Sequence, residues 1–324
     1  MKLNRICICL LVFAAVSTSA LAAGNSSARM LPGFAAGGVR VQTDEAADYK
    51  AWYDANDAKD FAKAYDLAKA FVTKYTSGAS SDYLKKWIPA KRGELFNTAL
   101  TAKDVTKMLQ YGNEALAEDP NQVDYLYLLS VAIYNYEIAQ KNFAHSKELT
   151  DFNQRIISLV DSGKIPAAFA TDKTFNKNNL IASLNQQIGV IALKNGENDK
   201  ALAVFQKAAS LNPKDAYNYL QIGAITYNTT YKAAADKYQA FPEDARKDPE
   251  GKPEVKAALD EVNKQTDLVI DNWAHYIALE ANPDATVKKG LTDLYAFRHP
   301  DMADGLQKLI DQYKSGNGPV NPKP

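Results

Sequence analysis

The chain has two cysteines, Cys7 and Cys9, both within its first nine residues. Everything after them lacks thiols. That excludes disulfides, cysteine nucleophiles and cysteine-ligated metals from the body of the protein. Histidine is almost as scarce: His145, His275 and His299 are the only three, and none has the HxxxH spacing of a helical zinc site. The spacing assigns His145 to a helix start, His275 to packing beside Trp273 and Tyr276, and His299 to the turn before Pro300. No GxSxG elbow, phosphate-binding glycine loop or dinucleotide fingerprint occurs. An excess of one charge is missing too. Thirty-eight basic residues balance 38 acidic ones, and nucleic-acid attraction would need a basic surplus. Carboxylates are numerous, but without a pocket no two can be paired as acid and base. The sequence therefore names no catalytic residue, metal ligand or cofactor.

What is present begins with a targeting segment. Lys2 and Arg5 are followed by the apolar run 6–16 and by Ala20-Leu21-Ala22, an A-x-A cleavage pattern. The mature chain is expected to begin at Ala23, leaving 36 basic against 38 acidic residues. An uncleaved anchor is the alternative, although the run is short for a membrane span. Cys7 and Cys9 lie too early to carry a lipid at the cleavage point. A periplasmic or secreted product follows, with no stable membrane insertion after cleavage. Residues 23–44 show no periodic apolar spacing and read as a leader. The Gly/Pro-rich stretch 316–324 reads as a tail, which leaves 45–315 as the folded domain.

Residues 182–216 carry the clearest pattern: ASLNQQIGVIALKNGENDKALAVFQKAASLNPKDA. Leu184, Ile188, Ile191 and Ala192 share one helical face. Lys194-Asn195-Gly196 ends that helix, and Asn198 or Asp199 is placed to cap the next. The second helix carries Ala201, Leu202, Phe205, Ala208 and Ala209 and stops at Asn212-Pro213. So short a turn predicts antiparallel packing. Gly189 and Ala201 permit close approach, and Phe205 fills the space between them. The positions of Ile188, Gly189, Ala201, Phe205, Ala208 and Pro213 resemble the tetratricopeptide repeat, with Asn185 and Ala192 where tryptophan and tyrosine are usual. Ile222-Gly223 follows 34 residues later, one repeat length, with Ala235 where Ala201 fell. One repeat cannot bury its own apolar face, so an array is expected.

Weaker versions of the pattern flank this unit. Tyr49, Trp52 and Tyr53 begin the first stripe, and residues 60–75 the second. Residues 81–99 form a helix that Pro89 kinks or divides, followed by 101–117, 123–140 and 145–160. Leu129-Ser130 takes the Ile188-Gly189 position. Two longer connections, at 164–178 and around 241–252, read as solvated spacers. A long helix resumes near Pro253 and runs to Asn282-Pro283. The last pair is 285–297 and 300–313, with Met302, Leu306, Leu309 and Ile310 on one face as a terminal cap. The predicted fold is all-α: an α-solenoid of about six antiparallel helix pairs with two insertions.

The resemblance implies that first helices line a peptide-holding groove. Tyr127, Val131 and Tyr134 recur at i, i+4 and i+7, followed by Asn135. Leu220, Ala224 and Tyr227 repeat the spacing, followed by Asn228, with Gln186 on the helix between. Tyr127, Tyr134, Asn135, Gln186, Tyr227 and Asn228 are the candidate ligand-binding residues, suited to an extended peptide by rigid aromatic area and amide hydrogen bonding. The bland alternative is that these tyrosines pack between repeats. No basic cluster stands where a carboxylate clamp would need one. The reading is a non-enzymatic scaffold for proteins or peptides of the cell envelope. The alternatives are a periplasmic binding protein for a small molecule or glycan, and an enzyme housed in the insertions. Intact mass of the exported chain checks the leader: loss of residues 1–22 is expected, and retention of residues 1–22 identifies an anchor.

Overall fold

The computed structural model describes residues 44–302 and 304–316. The cleavage site, most of the leader and most of the tail lie outside them. The described residues are helical, with no strand among them.

Two compact units are present: residues 44–142 with 161–175, and residues 143–160 with 176–316. The first holds α1 (Asp44–Asp57), α2 (Phe61–Lys74), α3 (Ala79–Ala102), α4 (Val105–Glu118) and α5 (Val123–Gln140). Asp60 and Asp104 accept hydrogen bonds from backbone N–H groups three residues on and start α2 and α4. Pro89 sits inside α3 without dividing it. That helix runs on to Ala102, so its partner begins at Val105 rather than at residue 101. The core of this unit includes Tyr65, Phe71, Leu84, Phe96, Met108 and Leu129. Arg92, only 4% exposed, is held by Glu118 through two hydrogen bonds of 2.7 and 2.5 Å. This bidentate pairing is the geometry that makes a buried guanidinium tolerable.

The second unit holds most of α6 (Ser146–Asp161), then α7 (Lys177–Lys194), α8 (Asn198–Leu211), α9 (Ala216–Thr226), α10 (Lys232–Gln239), α11 (Glu243–Lys247), α12 (Pro253–Leu279), α13 (Ala285–Arg298) and α14 (Gly305–Lys314). Gly196, at φ +75°, closes α7 in the left-handed region that glycine tolerates best. The residue preceding α8 is Glu197, and it makes no side-chain cap bond; neither Asn198 nor Asp199 is the cap. Against Gly189 lies the Phe205 ring, so close that a Cβ there would stand 2.8 Å from it.

The stretch after Gly223 departs from expectation in an instructive way. No turn follows Gly223 at one repeat length, and Ala235 is not the counterpart of Ala201. The chain stays helical through α9, a π turn at Tyr227–Tyr231, and α10. The aromatic ring against Gly223 comes instead from Trp273 on α12, 2.4 Å from where a Cβ would stand. Most of the extra residues lengthen the two helices of this pair. The polar connection shrinks to short turns around α11. Proline at the first position of α12 starts that helix, where a missing N–H costs nothing. Counting α9 to α10 as one helix, the described residues form twelve long helices, with α11 as an addition. The final helix starts at Gly305, not at residue 300, and Met302 falls in the preceding turn at 55% exposure.

The interlock of Gly189 and Phe205 makes a signed prediction. Phe205→Ala is expected to cost about 3–5 kcal/mol in denaturant unfolding. Gly189→Ala is expected to destabilise the native background, although alanine improves helix propensity by about 1 kcal/mol. In the Phe205→Ala background the same change is expected to stabilise. Additive effects in that cycle would show that the two residues are not coupled.

Candidate interaction surface

The π turn is written in the local sequence. Tyr227-Asn228-Thr229-Thr230-Tyr231 places an amide and two β-branched hydroxyls in mid-helix, all weak helix formers. Three consecutive side chains turn back on the helix. Asn228 Nδ2 donates to the Ala224 carbonyl at 2.9 Å, and Thr229 Oγ1 to Ile225 at 2.7 Å. Thr230 Oγ1 has both the Thr226 carbonyl, at 3.2 Å, and Gln265 Oε1, at 2.6 Å, within reach. These donors compete with backbone N–H groups for successive carbonyls, and the turn opens from α to π.

The opened turn brings two tyrosines together. Tyr227 and Tyr231 are stacked with centroids 5.1 Å apart and planes 17° from parallel. Tyr227 also leans on Trp273 at 5.5 Å, and Trp273 is held in turn against Gly223 and Gly290. Lys232 Nζ lies 5.3 Å from the Tyr227 centroid and donates to Asn228 Oδ1 at 2.9 Å. Both tyrosines are half-buried, and Asn228 is exposed. The result is a small aromatic ledge with an amide and an ammonium at its edge.

The other sequence-predicted site residues have different surroundings. Gln186 is half-buried, and its Nε2 donates to Asp215 at 2.7 Å and Asn218 at 3.0 Å, tying α7 to the start of α9. Neighbouring Val190 is buried, because α7 is covered on most sides. In the first unit Tyr134 is only 5% exposed, whereas Asn135 is exposed. Tyr127 is half-buried beneath Phe169, at 5.2 Å, which rests on Phe175 at 5.1 Å. The Ala167 N–H donates to Asp124 at 2.6 Å. The first long connection, expected as a solvated spacer, therefore packs on α5 through a short 3-10 turn, Ala167–Phe169. Tyr231 and Trp273 were not among the predicted residues. The signal that could have found Tyr231 is its i+4 spacing from Tyr227.

A titratable cluster lies elsewhere in the second unit. His275 is sandwiched between Tyr219, at 3.7 Å, and Tyr313, at 4.2 Å, both near-parallel. Tyr313 donates its hydroxyl to Asp271. Burial lowers the His275 pKa to about 4 from its usual 6.5, and burial raises that of Asp271. Two cavities are present in this unit. One, of about 450 Å³, includes Asp267, Asp271, Tyr295, His299 and Lys308 in its lining. The other, about 300 Å³, lies between α10 and α12 at Ala234, Phe241 and Ala258. Among the described residues no group of three or more histidine, cysteine or acidic side chains is placed to hold a metal. No described helix is long and apolar enough to cross a membrane.

No family model matches the chain, and no curated protein does. Solved structures similar to the chain include two at 15% identity. The MamA protein matches over 74% of this chain and 97% of its own, with a TM-score of 0.32. A thermophilic TPR protein of Thermus thermophilus matches over 77% and 98%, with a TM-score of 0.24. Scores this low carry no weight for function.

Stability is expected to fall in acid through His275. The unfolded imidazole takes up a proton near 6.5, and the folded one only near 4. Below the unfolded value the unfolded state binds more protons, so stability drops between these two limits and stays lower beneath them. Asp271 acts with the opposite sign, since its folded carboxyl is the more easily protonated. His275→Phe keeps the stacking without the titration. Its unfolding free energy is expected to be flatter across that window than the native chain's.

Proposed function

We propose that the protein is a non-enzymatic interaction module that holds an extended segment of another protein in the cell envelope. The observation that carries this reading is the ledge at the π turn. Stacked Tyr227 and Tyr231 offer rigid, partly exposed aromatic area that loses little entropy on binding. Exposed Asn228 and Lys232 supply hydrogen bonds at its rim. A ledge of this kind suits a peptide laid across it. Of the residues singled out by spacing, Tyr227 and Asn228 form part of this ledge, and exposed Asn135 and half-buried Tyr127 are secondary candidates on the first unit. Export rests on the leader pattern at 1–22 and on the absence of cysteine from the remainder.

A second reading, a binding protein for a small molecule or glycan, is favoured by one observation, the cavity of about 450 Å³ in the second unit. Its volume falls within the range of small-ligand sites, but the hollow is open along much of its extent, whereas such sites enclose most of their ligand.

Cross-linking of the tagged chain in its native host, followed by purification, separates the two. One or two stoichiometric proteins are expected to co-purify. Tyr227→Ala with Tyr231→Ala is expected to lower their recovery at least tenfold, about 1.4 kcal/mol, with the helical circular dichroism intact. Unchanged recovery in the folded double variant would remove the ledge from the reading. A retained small molecule in native mass spectrometry, with no protein partner, would replace it.

A further inference from the structure

Within the first unit, a loop of the chain sits on α5 in the manner of a bound peptide. Asp124 and Tyr127 stand one turn apart on one face of that helix, and Val131 and Asn135 continue the face over the next two turns. The Ala167 N–H donates to Asp124 at 2.6 Å, and the Phe169 ring meets Tyr127 edge-on at 5.2 Å. Pro166 is the one buried residue between 163 and 176; Ile165, Ala168, Phe169 and Phe175 are half-buried and the rest are exposed. A main-chain hydrogen bond, an aromatic contact and a buried proline are what a short recognition segment offers.

The loop is organised from within. The Phe169 N–H donates to the Pro166 carbonyl at 2.9 Å and the Ala170 N–H to that of Ala167 at 3.1 Å. Asp172 accepts from both the N–H and the hydroxyl of Thr174 at 2.7 Å, and Phe175 backs Phe169 at 5.1 Å. Compact surface loops closed by their own side chains are frequently functional. Such a loop keeps its shape when it moves. Gly163, at φ +91° with nothing within 4 Å of where a Cβ would stand, supplies a hinge at its start. On the face beneath it, Val131 is half-buried and Asn135 is exposed.

We propose that this face of α5 is a second peptide site, which residues 165–169 fill in the resting chain as a built-in competitor, and that its partner is a segment carrying a proline followed three residues later by an aromatic ring. The loop itself shows the chemistry that fits: Pro166 is buried, the next residue gives its N–H to Asp124, and Phe169 lies on Tyr127. Tethering holds the loop at high effective concentration, so few contacts are enough to keep it in place. A free segment displaces it only by adding contacts of its own, and Val131 and Asn135 lie on the same face to receive them. The loop therefore sets a threshold that rejects short or poorly matched segments. This inference takes from the interaction-module reading only that a partner exists. Its residues are not those of the ledge.

The probe is a synthetic peptide of residues 164–175, labelled at its N-terminus and titrated into the full chain by fluorescence anisotropy. Phe169→Ala in the chain takes the competing ring off Tyr127. It is expected to raise the peptide's affinity at least tenfold, the gain for a site that the loop closes about nine-tenths of the time or more. Adding Tyr127→Ala is expected to abolish that gain, and a peptide that itself carries Phe169→Ala is expected not to bind. Phe175→Ala, which removes the ring behind Phe169, gives a second opened chain, and circular dichroism checks each variant. Equal affinity for the native and both opened chains, or no saturable binding to any of them, would overturn the proposal and make the loop a fixed part of the fold. Binding that survives Tyr127→Ala would also overturn it, by placing the peptide elsewhere. The assay needs no cellular partner, so its failure leaves the ledge reading standing, and failure of the ledge leaves this assay readable.

Discussion

A methyl group cannot be added to Gly189 without moving the Phe205 ring, and this close approach sets the geometry around it. Helix backbones normally stand apart by the size of their side chains. With no side chain at residue 189, α7 and α8 close on each other and one phenyl ring fills the seam. Interiors are packed tightly enough that such a fit admits few alternatives. The consequence reaches beyond the pair. α7 becomes buried on most of its faces, with Ile188, Val190, Ile191 and Ala192 all inside. Gln186 is then close enough to bond Asp215 and Asn218 and so fix where α9 begins.

The same small-against-large device recurs at Gly223, with an indole in place of the phenyl ring. Its donor is far away in sequence, because the chain first completes a long excursion through α10 and α11. Two helices of this length have room for a defect between their ends, and the π turn is that defect. Its cause is local. Asn228 and Thr229 each bond a carbonyl one turn back, Thr230 has a third within reach, and the backbone yields. Trp273 supports the turn from beneath through Tyr227, so packing of the pair and shape of the ledge are one problem.

The fold class was legible because helical periodicity, proline stops and glycine ends act over a few residues. Asn212-Pro213, Gly196 and Asp60 mark boundaries by chemistry that needs no distant partner; Asp104 does the same for α4, although periodicity alone began that helix at residue 101. The candidate surface was legible only in part. Tyr227 and Asn228 stand where their spacing put them, on an exposed stretch. Tyr134 shares that spacing but is buried, and Tyr127 has a phenylalanine over it from a connection that reads as a spacer. Spacing places a side chain on a helical face; it does not say what comes to lie against that face.

By itself, then, the sequence determined the helices, most of their ends, their pairing by short turns and the scarcity of reactive groups. These follow from local backbone preferences and from composition. Tertiary structure alone decided that Trp273 rather than a residue near 235 would meet Gly223, that the second insertion would lengthen helices, and that residues 167–175 would cover Tyr127. Each of those outcomes depends on which apolar surface finds which neighbour across tens of residues, and local patterns do not encode that choice. Helical periodicity fixes the direction in which a side chain points, while burial is settled by the partner that arrives.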